Sequence, residues 1–172
     1  MLRVIADGIQ SFLQNNKVVS QGVKKIHFIR ESGKVKEKKG RKPQFGILHK
    51  ASDFILSVDL ERQLEYPGHI ADSKCRPDIV LYSNSLRIVV HVELTCPCEE
   101  NIQFAHSRKD NSYNSFSDLG IKCKDNGWQV ICLPVEVGVR GYAGKSLLSC
   151  ARKLGLGKQR SKTLAKGLLM RP

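Results

Sequence analysis

The chain has 172 residues, 41% of them hydrophobic and 26% charged, which predicts one globular domain with a buried core and excludes a large multidomain enzyme. It contains no apolar run of about 18 residues and no signal-like start, so we expect an intracellular protein whose six cysteines are reduced thiols. The net charge of +13 is concentrated at the ends, with +9 over residues 1–50, −4 over residues 51–144 and +8 over residues 145–172, and such basic ends favour a nucleic-acid partner.

The first half of the chain predicts a helix, two strands and a basic loop. Apolar residues recur at helical spacing from Leu2 to Leu13. Alternating β-branched and aromatic residues predict strands over Val23–Arg30 and Asp53–Leu60. Between the two strands, residues 31–43 are rich in charge and contain glycine and proline, which predicts an exposed loop.

The second half predicts a hairpin, then a helix, a strand and another helix. The segments RPDIVLYS and LRIVVHVELT, joined by SNS, predict two buried strands of a β-hairpin. Cys98–Asp118 is polar on one side and predicts a helix, GWQVICLPVEVG predicts a strand, and KSLLSCARKLGL predicts a helix. The segment KQRSKTLAKGLLM predicts a basic helix or a frayed tail. The order of these elements indicates the α/β class.

Two carboxylates on the hairpin give the first indication of chemistry. Asp78 opens one strand and Glu93 ends the other, so an antiparallel hairpin brings them together. Such a pair suits a Mg²⁺-sized ion that activates water for phosphodiester hydrolysis. Glu93 also interrupts the apolar run VVHVELT, where an unpaired carboxylate is costly. The alternative is an exposed Asp78 and a structural ion pair at Glu93, and His91 on the same strand face either supports a metal site or is a core histidine.

A lysine on the next helix is a third candidate. At about 100° per residue, the helix places Lys109 within the apolar stripe of Ile102, Ala105, Tyr113 and Phe116. A lysine that faces two acids is held cationic by them, and it can orient water or stabilise charge on a scissile phosphate. The alternative roles are a structural ion pair with Glu93 or a snorkelling side chain.

The segments RPDIVLYSNSLRIVVHVELTCPCEENIQFAHSRKDNSY and GWQVICLPVEVGVRGYAG resemble the restriction-like endonuclease domain of non-LTR retrotransposons, a branch of the PD-(D/E)XK nuclease superfamily. The resemblance covers residues 1–155 in element order, and its specific motifs lie in residues 76–144. It implies a restriction-endonuclease-like core, an α/β fold with a small mixed sheet flanked by helices. The nuclease domain would then span residues 1–155 with the basic loop 31–43 inserted, followed by a basic helix or tail over residues 156–172.

The resemblance implies a metal-dependent DNA endonuclease that nicks strands with Mg²⁺ or Mn²⁺. It assigns Asp78 and Glu93 as metal ligands, together with the main-chain carbonyl of Leu94. Thr95 occupies the position of the superfamily's usual lysine. The retrotransposon branch places a lysine on the following helix instead, which Lys109 matches, and Tyr113 one turn later supports it. An additional upstream acid is either Asp59 or Glu61.

The expected partner is DNA, held through its backbone and without sequence reading. The resemblance also suggests the reverse transcriptase domain of the parent element as a partner, and a nuclear location. The basic side chains expected to contact nucleic acid are Lys34, Lys36, Lys38, Lys39, Arg41, Lys42, Arg140 and Lys145.

Two other functions fit the sequence. One is a catalytically inactive nucleic-acid-binding module derived from such a nuclease, which Thr95 supports. The other is a scaffold protein whose charge contacts acidic partners. Zinc binding is disfavoured, because Cys96 and Cys98 are only two positions apart with no second cysteine pair. Nucleotide hydrolysis is disfavoured too, because in GVRGYAGKS the glycine before the lysine comes one residue late for a phosphate-binding loop.

Overall fold

A mixed four-stranded sheet forms the centre of the fold. The computed structural model describes residues 1–15, 45–60, 64–97, 117–138 and 144–169. The strands lie in the order β1-β2-β3-β4, where β1, β2 and β3 pair antiparallel and β4 joins β3 in parallel. Their bounds are Ile55–Val58 for β1, Ile79–Ser83 for β2, Ile88–Thr95 for β3 and Gln129–Glu136 for β4. The described chain therefore has an α/β fold with a mixed sheet.

The described helices flank this sheet. Their bounds are Leu2–Asn15 for α1, Asp118–Asp125 for α2, Lys145–Leu154 for α3 and Gly157–Leu169 for α4, with a short 3₁₀ turn at Ile47–His49. No helix among the described residues is long and apolar enough to cross a membrane.

One face of the sheet is packed by α1, α3 and α4, and we call it the three-helix face. Successive residues of a strand point to opposite faces, so only every second residue of each strand contributes to it. Its core is built from aliphatic side chains with Phe12, Phe54 and Cys150. The buried strand residues on this face are Ile79, Leu81, Ile88, Val90, Val92, Leu133 and Val135.

The opposite face packs against α2, and we call it the α2 face. Its smaller core joins Leu119 and Cys123 of α2 to Val80, Val89 and Trp128. The remaining buried members are Tyr66, Ile70 and Ala71 from the segment between β1 and β2. The alternation along β3 places His91 and Glu93 on this same face.

The loop of the β2–β3 hairpin is held by one carboxylate. Asp53 accepts hydrogen bonds from the Ser83 hydroxyl at 2.6 Å and from the Ser85 backbone N–H at 2.8 Å. These bonds, Ser83 first, lower the pKa of Asp53 to about 2. Arg87 closes the loop with a φ of 52°, in the left-handed region that is uncommon for residues other than glycine.

Two glycines let the 3₁₀ turn touch the end of α3. Gly155 terminates α3 at a φ of 91°, and a Cβ built there would lie 2.5 Å from Nδ1 of His49. A Cβ on Gly46 would collide with the backbone of Gly155. The same His49 Nδ1 accepts a hydrogen bond from the Gly46 backbone N–H at 3.2 Å. This close approach fixes the segment before β1 against the three-helix layer.

The structure confirms the predicted first helix, the second predicted strand, the hairpin, the strand after Trp128 and the helix that begins at Lys145. The strand predicted at Val23–Arg30 and the loop at 31–43 lie outside the described residues, as does nearly all of the helix predicted over Cys98–Asp118. Ser117 is extended, with φ −70° and ψ 160°, and its hydroxyl accepts from the Gly120 N–H, so α2 begins there as a separate helix. Helix α2 was not predicted from the sequence, and the final basic segment is helical as α4.

Candidate active site

Asp78 and Glu93 lie opposite each other at one end of the sheet. Within the β2–β3 pair, Ile79 is the partner of Val92, so the next position along the register matches Asp78 with Glu93. Directly opposed residues of an antiparallel pair point to the same face, with Cβ atoms about 4.5–5.5 Å apart. Both side chains therefore belong to the α2 face. The antiparallel pairing of the predicted hairpin is confirmed.

A backbone hydrogen bond orients the Asp78 carboxylate. Its Oδ2 accepts from the Leu94 N–H at 2.7 Å. Leu94 directly follows Glu93 on β3, so this bond directs the Asp78 carboxylate toward β3. A charge-assisted bond of this length restricts the side-chain rotamer. The Asp78 side chain is half-buried, whereas Glu93 is 1% exposed.

Asp59 extends the row of acids onto β1. Val58 is the partner of Ile79, and the Asp59 N–H donates to the Asp78 carbonyl at 2.9 Å, which continues the pairing by one residue. The Asp59 carboxylate accepts from the Leu64 N–H at 3.0 Å and from the Arg76 guanidinium at 3.0 and 3.1 Å. These contacts, the Leu64 bond first and Arg76 next, lower the pKa of Asp59. Arg76, in the sequence RPD, thus holds Asp59 at the β1 end of the row of acids.

Glu136 is a functional candidate that the sequence analysis missed. It ends β4 opposite Thr95 and is 2% exposed. Its neighbours Val135 and Val137 pack in the three-helix core, so Glu136 points to the α2 face, as Glu93 does. The signal was present in the sequence, because a glutamate within the apolar run LPVEVG is as unusual as Glu93 within VVHVELT. The described part of the chain therefore brings four acids, Asp59, Asp78, Glu93 and Glu136, to one end of the α2 face.

A buried polar chain connects α2 to β3 next to this row. The Tyr66 hydroxyl lies 2.8 Å from Nε2 of His91 and 3.3 Å from Sγ of Cys123. Burial raises the pKa of Tyr66 far above its usual range and also raises the pKa of the Cys123 thiol, so both groups stay neutral. His91, for which the sequence left two interpretations, is fully buried and bound to Tyr66. It therefore fills a structural position, two residues before Glu93 on β3.

The donor set at the carboxylate end suits a small hard cation. Across the described residues, no group of three or more His, Cys, Asp or Glu side chains is arranged to hold a metal ion. Mg²⁺ commonly uses only one or two protein carboxylates and completes its shell with water and substrate phosphate. Asp78 and Glu93 match that requirement, because they are adjacent and provide only oxygen ligands. Asp59 is already engaged by Arg76 and is the weaker third candidate.

Several predicted site residues lie outside the described residues. These are Glu61, Lys109, Tyr113, Arg140 and the six basic residues of the loop. Thr95, which replaces the superfamily's lysine, is partly buried at the end of β3, and within the described chain its hydroxyl has no hydrogen-bond partner. Lys145 is exposed at the first position of α3.

The cysteines show no pattern of a zinc site in the described part of the chain. Cys75 and Cys96 are exposed free thiols, and Cys96 Sγ lies 3.6 Å from Sδ of Met1. Cys123 and Cys150 are buried in separate cores on opposite faces of the sheet. Cys98 lies outside the described residues.

Comparison of the chain with protein-family models, with curated proteins and with solved structures gives no match. The resemblance to the retrotransposon nuclease therefore stays a proposal that rests on the motif residues and their placement in the sheet.

Proposed function

We propose that this chain is a metal-dependent DNA endonuclease of retrotransposon origin, with a restriction-endonuclease-like core, which nicks DNA by phosphodiester hydrolysis. The observation that carries the proposal is the position of Asp78 and Glu93, each one residue beyond the last β2–β3 pair, Ile79 and Val92, with the Asp78 carboxylate bound to the Leu94 N–H. Glu93 is 1% exposed on its strand, and one or two carboxylates from the protein are the usual ligand set for Mg²⁺.

In this proposal Asp78 and Glu93 hold a divalent cation, Mg²⁺ or Mn²⁺, with the main-chain carbonyl of Leu94 as a further ligand. When bound, the cation supplies Lewis-acid activation of water and neutralises charge on the phosphate. The Leu94 N–H keeps the Asp78 carboxylate turned toward β3. Arg76 binds Asp59 at the neighbouring strand end.

Lys109 has the role of orienting the attacking water or stabilising the charge that develops on the scissile phosphate. Tyr113, one helical turn later in the sequence, supports it. The loop lysines and arginine at 34–42, with Arg140 and Lys145, hold the DNA backbone. An enzyme of this kind would act on chromosomal DNA in the nucleus, in concert with the reverse transcriptase of its parent element.

Nicking of supercoiled plasmid and of a branched duplex in Mg²⁺ or Mn²⁺ tests this function. We expect Asp78→Asn and Glu93→Gln to reduce nicking to background and Lys109→Ala to lower the rate by about 10²–10³-fold. Asp125→Asn removes an exposed carboxylate on α2 and is the matched control, which should nick like the wild type. Circular dichroism of each variant verifies folding. Equal activity of all the variants would refute the assignment of the site.

A catalytically inactive DNA-binding module is the second candidate, and Thr95 is the observation that favours it. The usual lysine of the superfamily is replaced by a side chain whose hydroxyl, within the described residues, has no partner. For such a module we expect the wild type and Asp78→Asn to bind DNA equally well, and neither to nick DNA with any metal ion. If the folded wild-type protein behaves in this way, it is an inactive DNA-binding module and not a nuclease.

A further inference from the structure

The two C-terminal helices carry charge of one sign only. No acidic residue follows Glu136 in the sequence. The basic residues of α3 and α4 are Lys145, Arg152, Lys153, Lys158, Arg160, Lys162 and Lys166. A solvated helix face that serves only solubility ordinarily mixes both signs. The absence of any acid here indicates a surface adapted to a polyanion.

The packing of α3 leaves its basic residues in solvent. Its apolar residues Leu147, Cys150, Ala151 and Leu154 are buried in the core of the three-helix face. Lys145, Arg152 and Lys153 are exposed, as is Lys162 of α4. Lys145 and Arg152 are seven positions apart, which places them on the same side of the helix at an axial separation of about 10 Å. The exposed charges of α3 therefore form a stripe along that helix.

A small cavity lies along this stripe, between α3 and β4. Its volume is about 150 Å³. Its lining residues are Cys132, Leu133, Pro134, Ser146, Ser149, Cys150 and Lys153. The Ser146 hydroxyl accepts from the Glu136 N–H at 3.0 Å, so its own hydrogen is available to donate. Burial raises the pKa of the Cys150 thiol to about 12, which keeps that thiol neutral. The cavity thus combines two hydroxyl groups with one ammonium group and no anion, which suits a phosphate oxygen.

We propose that the exposed basic side of α3 and α4, together with this cavity, binds the phosphate backbone of double-stranded DNA. We call it the α3–α4 surface and define it by Lys145, Ser149, Arg152, Lys153 and Lys162. It rests on the proposed function only for the identity of the polyanion. Because the contacts are with phosphates, the binding is independent of base sequence and sensitive to salt.

The α3–α4 surface lies on the side of the sheet opposite the acid row, and the two meet at one end. The Gly144 N–H donates to the Glu136 carbonyl at 3.2 Å, so α3 starts directly beside the strand end that carries Glu136. DNA that follows α3 toward Lys145 therefore approaches the end of the sheet that carries Asp78 and Glu93. Binding and hydrolysis consequently use different side chains and are separable by mutation.

Fluorescence anisotropy with a short labelled duplex of arbitrary sequence, in EDTA and over a range of salt concentrations, tests the proposal. The test variant is Arg152→Glu/Lys153→Glu/Lys162→Glu, and the control is Lys74→Glu/Lys122→Glu/Lys124→Glu, which reverses three exposed charges elsewhere on the protein. We expect the test variant to bind at least about tenfold more weakly, with a salt slope that falls by about 0.9 for each phosphate that the protein no longer neutralises. The control should keep most of the wild-type affinity.

A neutral version, Arg152→Gln/Lys153→Gln/Lys162→Gln, guards against loss of folding through charge reversal and should show the same trend. Unchanged affinity and salt slope in both test variants, or an equal loss in the control, would overturn the proposal. Stronger competition by duplex RNA or by vesicles of anionic lipid than by unlabelled duplex DNA would also overturn it. The binding assay in EDTA does not depend on the nuclease activity. If the α3–α4 surface binds DNA there but the protein does not nick DNA in Mg²⁺ or Mn²⁺, only the nuclease function is rejected. Normal nicking with no effect of the test variants would reject only the surface.

Discussion

The two faces of the sheet are built from different chemistry. The three-helix face is apolar within the sheet except for Ser83 next to the hairpin loop, and its helices α3 and α4 carry only basic charges, whereas the α2 face buries His91, Glu93 and Glu136 among its apolar residues. The same strands supply both faces, because alternate residues point in opposite directions. The larger apolar core therefore lies on one face and the buried ionisable groups lie on the other.

The two ends of the β2–β3 hairpin also differ in how their carboxylates are bound. The hairpin-loop end of β2 and β3 is held by Asp53, whose partners are the Ser83 hydroxyl and groups of Ser85. The opposite end carries Asp78 and Glu93, where Asp78 Oδ2 accepts a backbone hydrogen bond. The first arrangement surrounds a single carboxylate with neutral donors, and the second sets two carboxylates side by side on adjacent strands, which is the arrangement that a divalent cation favours.

The largest expected effect comes from a cavity on the three-helix face. Leu133→Ala removes a side chain that is 2% exposed and should lower the free energy of unfolding by about 2–5 kcal/mol. Urea denaturation measures the loss. Leu148→Ala, at a 40% exposed position of α3, is the control and should change stability by less than about 1 kcal/mol. Similar losses for the two variants would contradict the placement of the core.

The close approach of the 3₁₀ turn to α3 gives the next effect. Gly155→Ala places a Cβ against His49 at a residue with a φ of 91°, so we expect about 1–3 kcal/mol of backbone strain in addition to the clash. Gly127→Ala is the matched control, because its φ is 78° and nothing lies within 4 Å of the added Cβ. Thermal unfolding should show a clearly larger drop in Tm for Gly155→Ala. Equal drops would show that the contact with His49 adds nothing.

The hydrogen bonds that link Tyr66 to His91 and Cys123 on the α2 face are tested by removing the Tyr66 hydroxyl. Tyr66→Phe deprives His91 and Cys123 of the hydroxyl between them and should cost about 1–3 kcal/mol in urea denaturation. Tyr82→Phe on the same face serves as the control, since the Tyr82 side chain is only partly buried. A Tyr66→Phe protein as stable as the wild type would mean that the hydrogen bonds of the Tyr66 hydroxyl to His91 and Cys123 contribute nothing to the free energy of unfolding.

The smallest effect is a pH dependence at the hairpin loop. The pKa of Asp53 is lowered from 3.8 to about 2, so its contribution is complete above pH 4 and is lost as the pH falls toward 2. Asp53→Asn should be less stable than the wild type at neutral pH, by on the order of 1 kcal/mol, and the difference should shrink over this acid window. Unfolding curves at several pH values measure it. A difference that is constant down to pH 2 would contradict the assigned contacts.

Most of the described sheet was predictable from the sequence because its strands are strongly apolar and bounded by turn residues. Glu93 was found by the cost of a carboxylate in a buried strand, and Asp78 was found by its position at the start of the paired strand, which the short hairpin connection brings near Glu93. The same argument applies to Glu136, which was missed because its strand pairs with β3 in parallel through a long connection. Sequence spacing does not reveal which residues such a connection brings together.

The helix α2 was not predictable by periodicity, because its eight residues show only the apolar pair Leu119 and Cys123 on one face. The roles of Arg76 and Tyr66 also depend on tertiary contacts. In the sequence Arg76 is part of the RPD motif, yet in the fold its partner is Asp59, just beyond the end of β1. Tyr66 follows no regular pattern, and only the fold places it between α2 and β3.

The most direct test of the central claim is paramagnetic broadening of backbone amide resonances by substoichiometric Mn²⁺ in the NMR spectrum of the wild-type protein. The account predicts selective broadening of Asp78, Glu93 and Leu94, with Ser85 and Leu86 at the other end of the same hairpin unaffected, and loss of the effect in Glu93→Gln. Broadening at Ser85 and Leu86 instead, or uniform weak broadening that Glu93→Gln leaves unchanged, would contradict a metal site at the Asp78–Glu93 pair.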